Sequence, residues 1–317
     1  MDYGDKDMSS RLAEQLAKTG RYDEAIIIYK ELVKHNPGED SFVLALAWAY
    51  LDKGSTGKAL ECFETLLDRE FQRSIFTGFA FDELVRIYRE QGKYNRLIEI
   101  CEKAVSRQKD DVSLLTTLGD AYFKAERFPS AIETFRNVIA MESDAIAVIL
   151  RLGNALIAAG DYDGAEEEFE KAVQADAAEA HTYYGRLGMA FMGVNECGRA
   201  ERAFLRAIEI SPSNPMYYCD LGDALICLDK IQQAWDAYKK AVSLRPESGG
   251  HFFNRLGNML ARREDHAQAV SAFEKALELD AGNPFYYLHL ARSYEALGAH
   301  ELASSAYEKA TTRGAGS

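Results

Sequence analysis

An alanine, once replaced by leucine, opens an apolar-periodic run nine times along the chain, at Ala25, Ala59, Leu97, Ala131, Ala165, Ala200, Ala234, Ala269 and Ala303. The steps between them are 34, 38, 34, 34, 35, 34, 35 and 34 residues. A near-constant period in this range is the mark of a repeat array, in which no unit buries its apolar face alone and neighbours bury it by stacking. Each unit reads as two helices. Over residues 146–179, Leu152, Gly153 and Leu156 share one face of the first helix, and Ala165, Phe169 and Ala172 one face of the second. Gly160 lies between them, where a helix C-terminus calls for a left-handed residue, and other copies carry glycine in the same slot. The prolines respect this layout. Pro37, Pro212 and Pro246 follow second helices, Pro215 and Pro284 open first helices, and Pro129 opens a second helix.

Within each unit, small and large residues keep fixed places. Repeat one has Ala13, Leu16, Ala25, Tyr29, Leu32 and Pro37 at positions 8, 11, 20, 24, 27 and 32. Repeat six has Gly188, Phe191, Ala200, Phe204, Ala207 and Pro212 there, and repeat seven has Gly222, Leu225, Ala234, Tyr238, Ala241 and Pro246. This pattern resembles the tetratricopeptide repeat family. The resemblance implies an all-α, right-handed superhelical solenoid of about nine helix-turn-helix repeats. As a single solenoid over 1–317, its repeats fall near 6–39, 40–73, 78–111, 112–145, 146–179, 181–214, 215–248, 250–283 and 284–317. Repeat three fits worst, with Val85, Leu97 and Cys101 at the small, small and aromatic places, and it follows a four-residue insertion rich in phenylalanine. That insertion reads as an extension of the preceding helix that packs, or else as an apolar lip. Ser304, Thr311 and Arg313 give the ninth repeat a polar free face, so the array reads as complete; a cut from a longer protein is the alternative.

Composition narrows the function classes. A net charge of −13 argues against nucleic-acid binding. Apolar runs fall short of the ~20 residues that span a bilayer, and the polar N-terminus is not a signal peptide. Five scattered cysteines, Cys62, Cys101, Cys197, Cys219 and Cys227, suit a reducing compartment better than a disulfide framework. A cytoplasmic protein is therefore expected, with a periplasmic one as the alternative if a leader has been removed. No phosphate loop, zinc-protease helix or paired cysteine motif is present, so no catalytic residue, metal ligand or cofactor is assigned. The Asp161–Gly164 stretch echoes a calcium loop but lacks its further acidic ligands.

In the family, first helices line a concave groove through positions 2, 5, 6, 9, 12 and 13. By that resemblance the candidate groove residues are Trp48 and Phe123, then Leu150, Arg151, Asn154, Ile157, Arg186, Met189, Met192, Cys219 and Ile226. His251, Asn254, Arg255, Asn258, Arg262, His289 and Arg292 complete the set. Arg151, Arg186 and Arg255 share position 6 and form an expected arginine ladder over an apolar floor of Met189, Met192 and Ile226. Pairing with Asp220 or its neighbours is the competing reading for those arginines. Only Asn258 matches the family's clamp for chaperone tails, so that clamp is not supported. The expected function is non-catalytic binding of a protein or peptide segment of mixed acidic and apolar character. A self-assembling scaffold, or a substrate-recruiting subunit of a separate enzyme, are the alternatives.

Overall fold

The computed structural model describes residues 6–143 and 145–314. The described residues hold eighteen α-helices joined by short turns. The chain divides into two compact units, Met1–Ser143 and Asp144–Ser317, where the sequence suggests one array over 1–317.

The first unit contains α1 (Lys6–Lys18), α2 (Tyr22–His35), α3 (Asp40–Asp52), α4 (Thr56–Gln72), α5 (Phe79–Glu90), α6 (Tyr94–Arg107), α7 (Val112–Lys124) and α8 (Phe128–Met141). The second contains α9 (Ile146–Ala159), α10 (Tyr162–Ala175), α11 (Ala180–Gly193), α12 (Cys197–Ile210), α13 (Pro215–Cys227), α14 (Ile231–Leu244), α15 (Gly249–Arg262), α16 (His266–Leu279), α17 (Pro284–Ala296) and α18 (His300–Gly314). Inside each unit every helix packs on the next, so both are runs of stacked helix pairs.

The position-8 small residue has a direct steric cause. A Cβ on Gly188 of α11 would lie 2.5 Å from the Phe204 ring of α12. No real contact is that short, so the aromatic at position 24 occupies the space that a side chain would need. Gly257 and Phe273 repeat the pairing, again at 2.5 Å. Both rings are fully buried. In repeat three the sizes are exchanged, with Val85 at the small place and Cys101 at the aromatic one. Both are buried, so the exchange preserves the packed volume.

Helix ends follow from local chemistry. Asp111, Asp161, Asn214 and Asn283 cap α7, α10, α13 and α17 by accepting backbone N–H bonds at 2.9–3.1 Å. The acidic turn at Asp161 is thus a helix cap. Gly160 ends α9 at φ 84°, in the left-handed region. Four copies fill the matching slot with Glu126, Asn195, Asp229 and Glu264 at φ 59° to 64°. Between repeats, tyrosines on first helices bond glutamates on the preceding second helix: Tyr88–Glu64 and Tyr122–Glu102 at 2.5 Å, Tyr184–Glu170 and Tyr294–Glu274 at 2.8 Å. Burial, with those carboxylates, pushes each phenol up to about 12.

The phenylalanine-rich insertion mostly packs. It lengthens α4 to 17 residues. Phe71, Phe76 and Phe81 form a chain of ring contacts at 5.8 and 5.7 Å, while Ile75 and Phe79 stay exposed.

Candidate functional site

In the second unit the first helices α9, α11, α13, α15 and α17 touch one another in succession and build one face. Helix rotation decides what that face shows. Leu150 and Cys219 stand at position 5, Ile157 and Ile226 at position 12, and all four are buried. They do not present surface, which removes Ile226 from the expected floor, while Met189 stays exposed and Met192 half-buried. The cause is visible at position 5 of α11, where a Cβ on Gly185 would meet the Tyr217 ring of α13 at 2.8 Å. Position 5, and position 12 two turns later, therefore fill the seam between adjacent repeats. Burial also pushes the Cys219 thiol up to about 12. Asn154, Met189 and Arg292 at position 9, His251 at position 2, Arg262 at position 13 and Arg186 at position 6 are exposed. Arg151, Met192, Asn254, Arg255, Asn258 and His289 are half-buried.

The arginine ladder does not form as a ligand-facing set. Arg255 of α15 is committed inward. Its Nη2 donates to Asp220 Oδ1 at 2.6 Å and to Asp223 Oδ2 at 2.5 Å, and its Nε to Asp223 Oδ2 at 3.0 Å. Tyr238 of α14 donates to the other Asp223 oxygen at 2.5 Å. Burial pushes both aspartates above their ordinary range while Arg255 pulls them back. Burial works against the Arg255 charge, but Asp223, Tyr238 and Asp220 outweigh it and hold its pKa above the ordinary value. The two shielded aspartates are sustained here by one shared guanidinium. Arg151 Nη1 reaches the Ala147 carbonyl on its own helix at 3.4 Å. Arg186 is exposed and forms no ion pair among the described residues.

A cleft of about 430 Å³ opens between α15, α16 and α17. Asn258, Arg262, His266, His289, Arg292 and Ser293 line it, over the Phe273 ring. No carboxylate lines it, and Arg262 and Arg292 form no ion pair among the described residues. His289 Nδ1 donates to Asn254 Oδ1 at 2.8 Å, and Ser293 Oγ donates to the His289 carbonyl at 3.2 Å. Burial and the Arg292 charge hold the His289 pKa below its ordinary value. His266 Nδ1 is buried without a hydrogen-bond partner. Sequence reasoning confined the groove to first helices and so missed His266, which begins a second helix. The histidine directly after a capping aspartate, Asp265, was the available signal.

Trp48 and Phe123 belong to the first unit. Trp48 is half-buried, edge-on to Phe63 at 5.8 Å and to the exposed Phe79 at 6.4 Å. Phe123 lies 5.8 Å from Phe128 and lines a separate cleft of about 290 Å³ with Arg89, Tyr94 and Asp120.

One cysteine expectation is overturned. Cys197, at the start of α12, is joined by a disulfide to Cys227, at the end of α13, with Cα atoms 6.1 Å apart. Thirty residues separate them, and the stacking of repeats six and seven brings them together. Cys62, Cys101 and Cys219 are free thiols.

No helix among the described residues is long and apolar enough to cross a membrane. In sequence the chain is similar to BBSome complex member BBS4 of Bos taurus, 26% identical over 285 residues, covering 90% of this chain and 54% of that protein. It is also similar to small glutamine-rich tetratricopeptide repeat-containing protein 2 of Mycosarcoma maydis, 31% identical over 124 residues, covering 39% of this chain and 35% of that protein. The chain thus spans about half the length of the first and about a third of the second. Among solved structures, a tetratricopeptide repeat protein from Parabacteroides merdae aligns with a TM-score of 0.49 and 18% identity, over 84% of this chain and 98% of that one. Tetratricopeptide repeat profiles match residues 116–180, 150–215, 219–284 and 254–317, and others match 16–76 and 80–113. With profile matches covering most of its length and a position-8 to position-24 packing rule repeated through it, the chain belongs to the tetratricopeptide repeat family.

Proposed function

We propose that the chain is a non-catalytic binding scaffold whose second unit takes a segment of another protein on its first-helix face. The observation that carries this reading is what the face leaves outward. Arg262 and Arg292 are exposed and without ion pairs among the described residues, in a chain of net charge −13. Met189 keeps 63% of its surface exposed on the same face. Cations with no internal partner favour acidic side chains, and an exposed methionine adapts to apolar ones. Each contact to an exposed arginine contributes about 0.2–1 kcal/mol, so selectivity comes from several such contacts acting together. The relative named as a member of a protein complex is in keeping with a binding role.

Selection from a random peptide library against the full chain tests the proposal. Enrichment of segments combining Asp or Glu with Leu, Met or Phe is the expected result. Enrichment of basic segments, or none, would refute it.

A further inference from the structure

Among the features outside the packing core, the cleft between α15, α16 and α17 is chemically the most one-sided. It presents two guanidinium groups, two imidazoles, the Asn258 amide and the Ser293 hydroxyl, and no carboxylate. The chain around it carries 50 acidic residues against 37 Lys and Arg. On an acidic protein, unpaired arginines are normally neutralised by neighbours, as Arg255 is by Asp220 and Asp223. Arg262 and Arg292 are not, among the described residues. Glu295, one turn along α17 from Arg292, is instead bonded by Tyr307 at 2.7 Å. His266, on the α16 side of the cleft, has its Nδ1 buried and without a hydrogen-bond partner, so no group of the protein neutralises or satisfies that ring in the arginines' stead.

We infer that this cleft seats the phosphate of a phosphorylated side chain on the bound segment. The inference rests on the reading of the first-helix face as a segment-binding surface. A phosphate offers three acceptor oxygens and close to two negative charges, against two oxygens and one charge for a carboxylate. Two guanidinium groups line the cleft beside two imidazoles, and their forks alone supply more donors and charge than one carboxylate can use. His289 faces Arg292 on its own helix, Asn254 on α15 and the Phe273 ring on α16, at 5.6 Å between ring centres. A dianion placed there offsets the arginine that now disfavours its protonation. The Phe273 floor excludes water from one side, which strengthens each charge-assisted bond.

The test uses the full chain with ¹³C-labelled histidine, followed by NMR while sodium phosphate is titrated against sodium chloride at equal ionic strength. Expected are saturable shifts of the His266 and His289 imidazole signals and a raised His289 pKa, with His35, His181, His251 and His300 unmoved. Arg262→Gln and Arg292→Gln should each weaken the apparent phosphate Kd at least fivefold. Arg206→Gln, on the exposed side of α12, should change it less than twofold. Free phosphoserine should follow phosphate, and glutamate should bind at least tenfold more weakly. Shifts spread over all six histidines, no saturation, or equal binding of glutamate and phosphoserine would each overturn the seat. Library peptides that bind while phosphate leaves both histidines unmoved would overturn the seat alone and keep the face. Phosphate seated without any peptide binding would overturn the face reading instead.

Discussion

Arg255 grips Asp223 through two nitrogens, Nε at 3.0 Å and Nη2 at 2.5 Å, and the same Nη2 reaches Asp220 at 2.6 Å. Repeats seven and eight are therefore joined by a charge cluster whose members are largely shielded, the aspartate side chains being 16% and 11% exposed. Arg255→Met should leave two shielded carboxylates without their counter-charge, Asp223 keeping only its Tyr238 bond, and destabilise the chain by about 3 kcal/mol in urea unfolding. The pH dependence has a definite sign. Both aspartate pKa values lie above the ordinary range, so the native state binds protons more readily than the unfolded chain. The cluster is most favourable below that range and loses stability as pH rises through it. Removing Arg255 steepens the loss, so the variant's deficit should shrink toward acid pH. A deficit independent of pH would contradict the assignment.

Gly188 and Phe204 should behave as one packing unit. Gly188→Ala forces a Cβ into the Phe204 ring and should cost about 1–3 kcal/mol. Phe204→Leu should itself destabilise, yet the double variant should lose clearly less than the sum of the two. Additive losses, read from urea midpoints, would mean that the two positions do not meet.

This rule was legible in the sequence because both partners stand at fixed places within a single repeat. What lay between repeats was not. Leu150, Ile157, Cys219 and Ile226 have the right residue types for a groove surface, but a rotation of the first helix about its axis turns them into the seam. No periodicity within one helix reports that angle. Arg255 was ambiguous for the same reason, since its partners belong to the preceding repeat. Cys197 and Cys227 sit on helices of different repeats, and only the stacking shows that they meet.

Reduction of the Cys197–Cys227 disulfide should therefore be felt. It closes a loop of thirty residues, and its loss should lower stability by about 3 kcal/mol. Urea unfolding with and without dithiothreitol, beside the Cys197→Ser, Cys227→Ser double variant, reads this directly. Coincident curves for all three would show that the bridge contributes nothing.

Glu264 holds φ at 64° in a slot that Gly160 fills in another repeat. A side chain there carries a steric cost that glycine lacks, partly offset by the freer unfolded chain of glycine. Glu264→Gly should stabilise by about 0.5–1 kcal/mol, and Gly160→Ala should destabilise by a similar amount. Thermal unfolding shifts in the opposite sense would contradict the reading of the turn.

Binding isotherms for charge-reversed variants test the binding face most directly. Arg262→Glu with Arg292→Glu alters the first-helix face, and Arg206→Glu with Lys239→Glu makes the same charge change on α12 and α14 of the same unit. With the strongest acidic-apolar library peptide, calorimetry should show at least a hundredfold loss for the first pair and less than a threefold change for the second, at equal helicity. Equal losses in both pairs would reduce the effect to overall charge, and no loss in the first pair would place the partner elsewhere on the molecule.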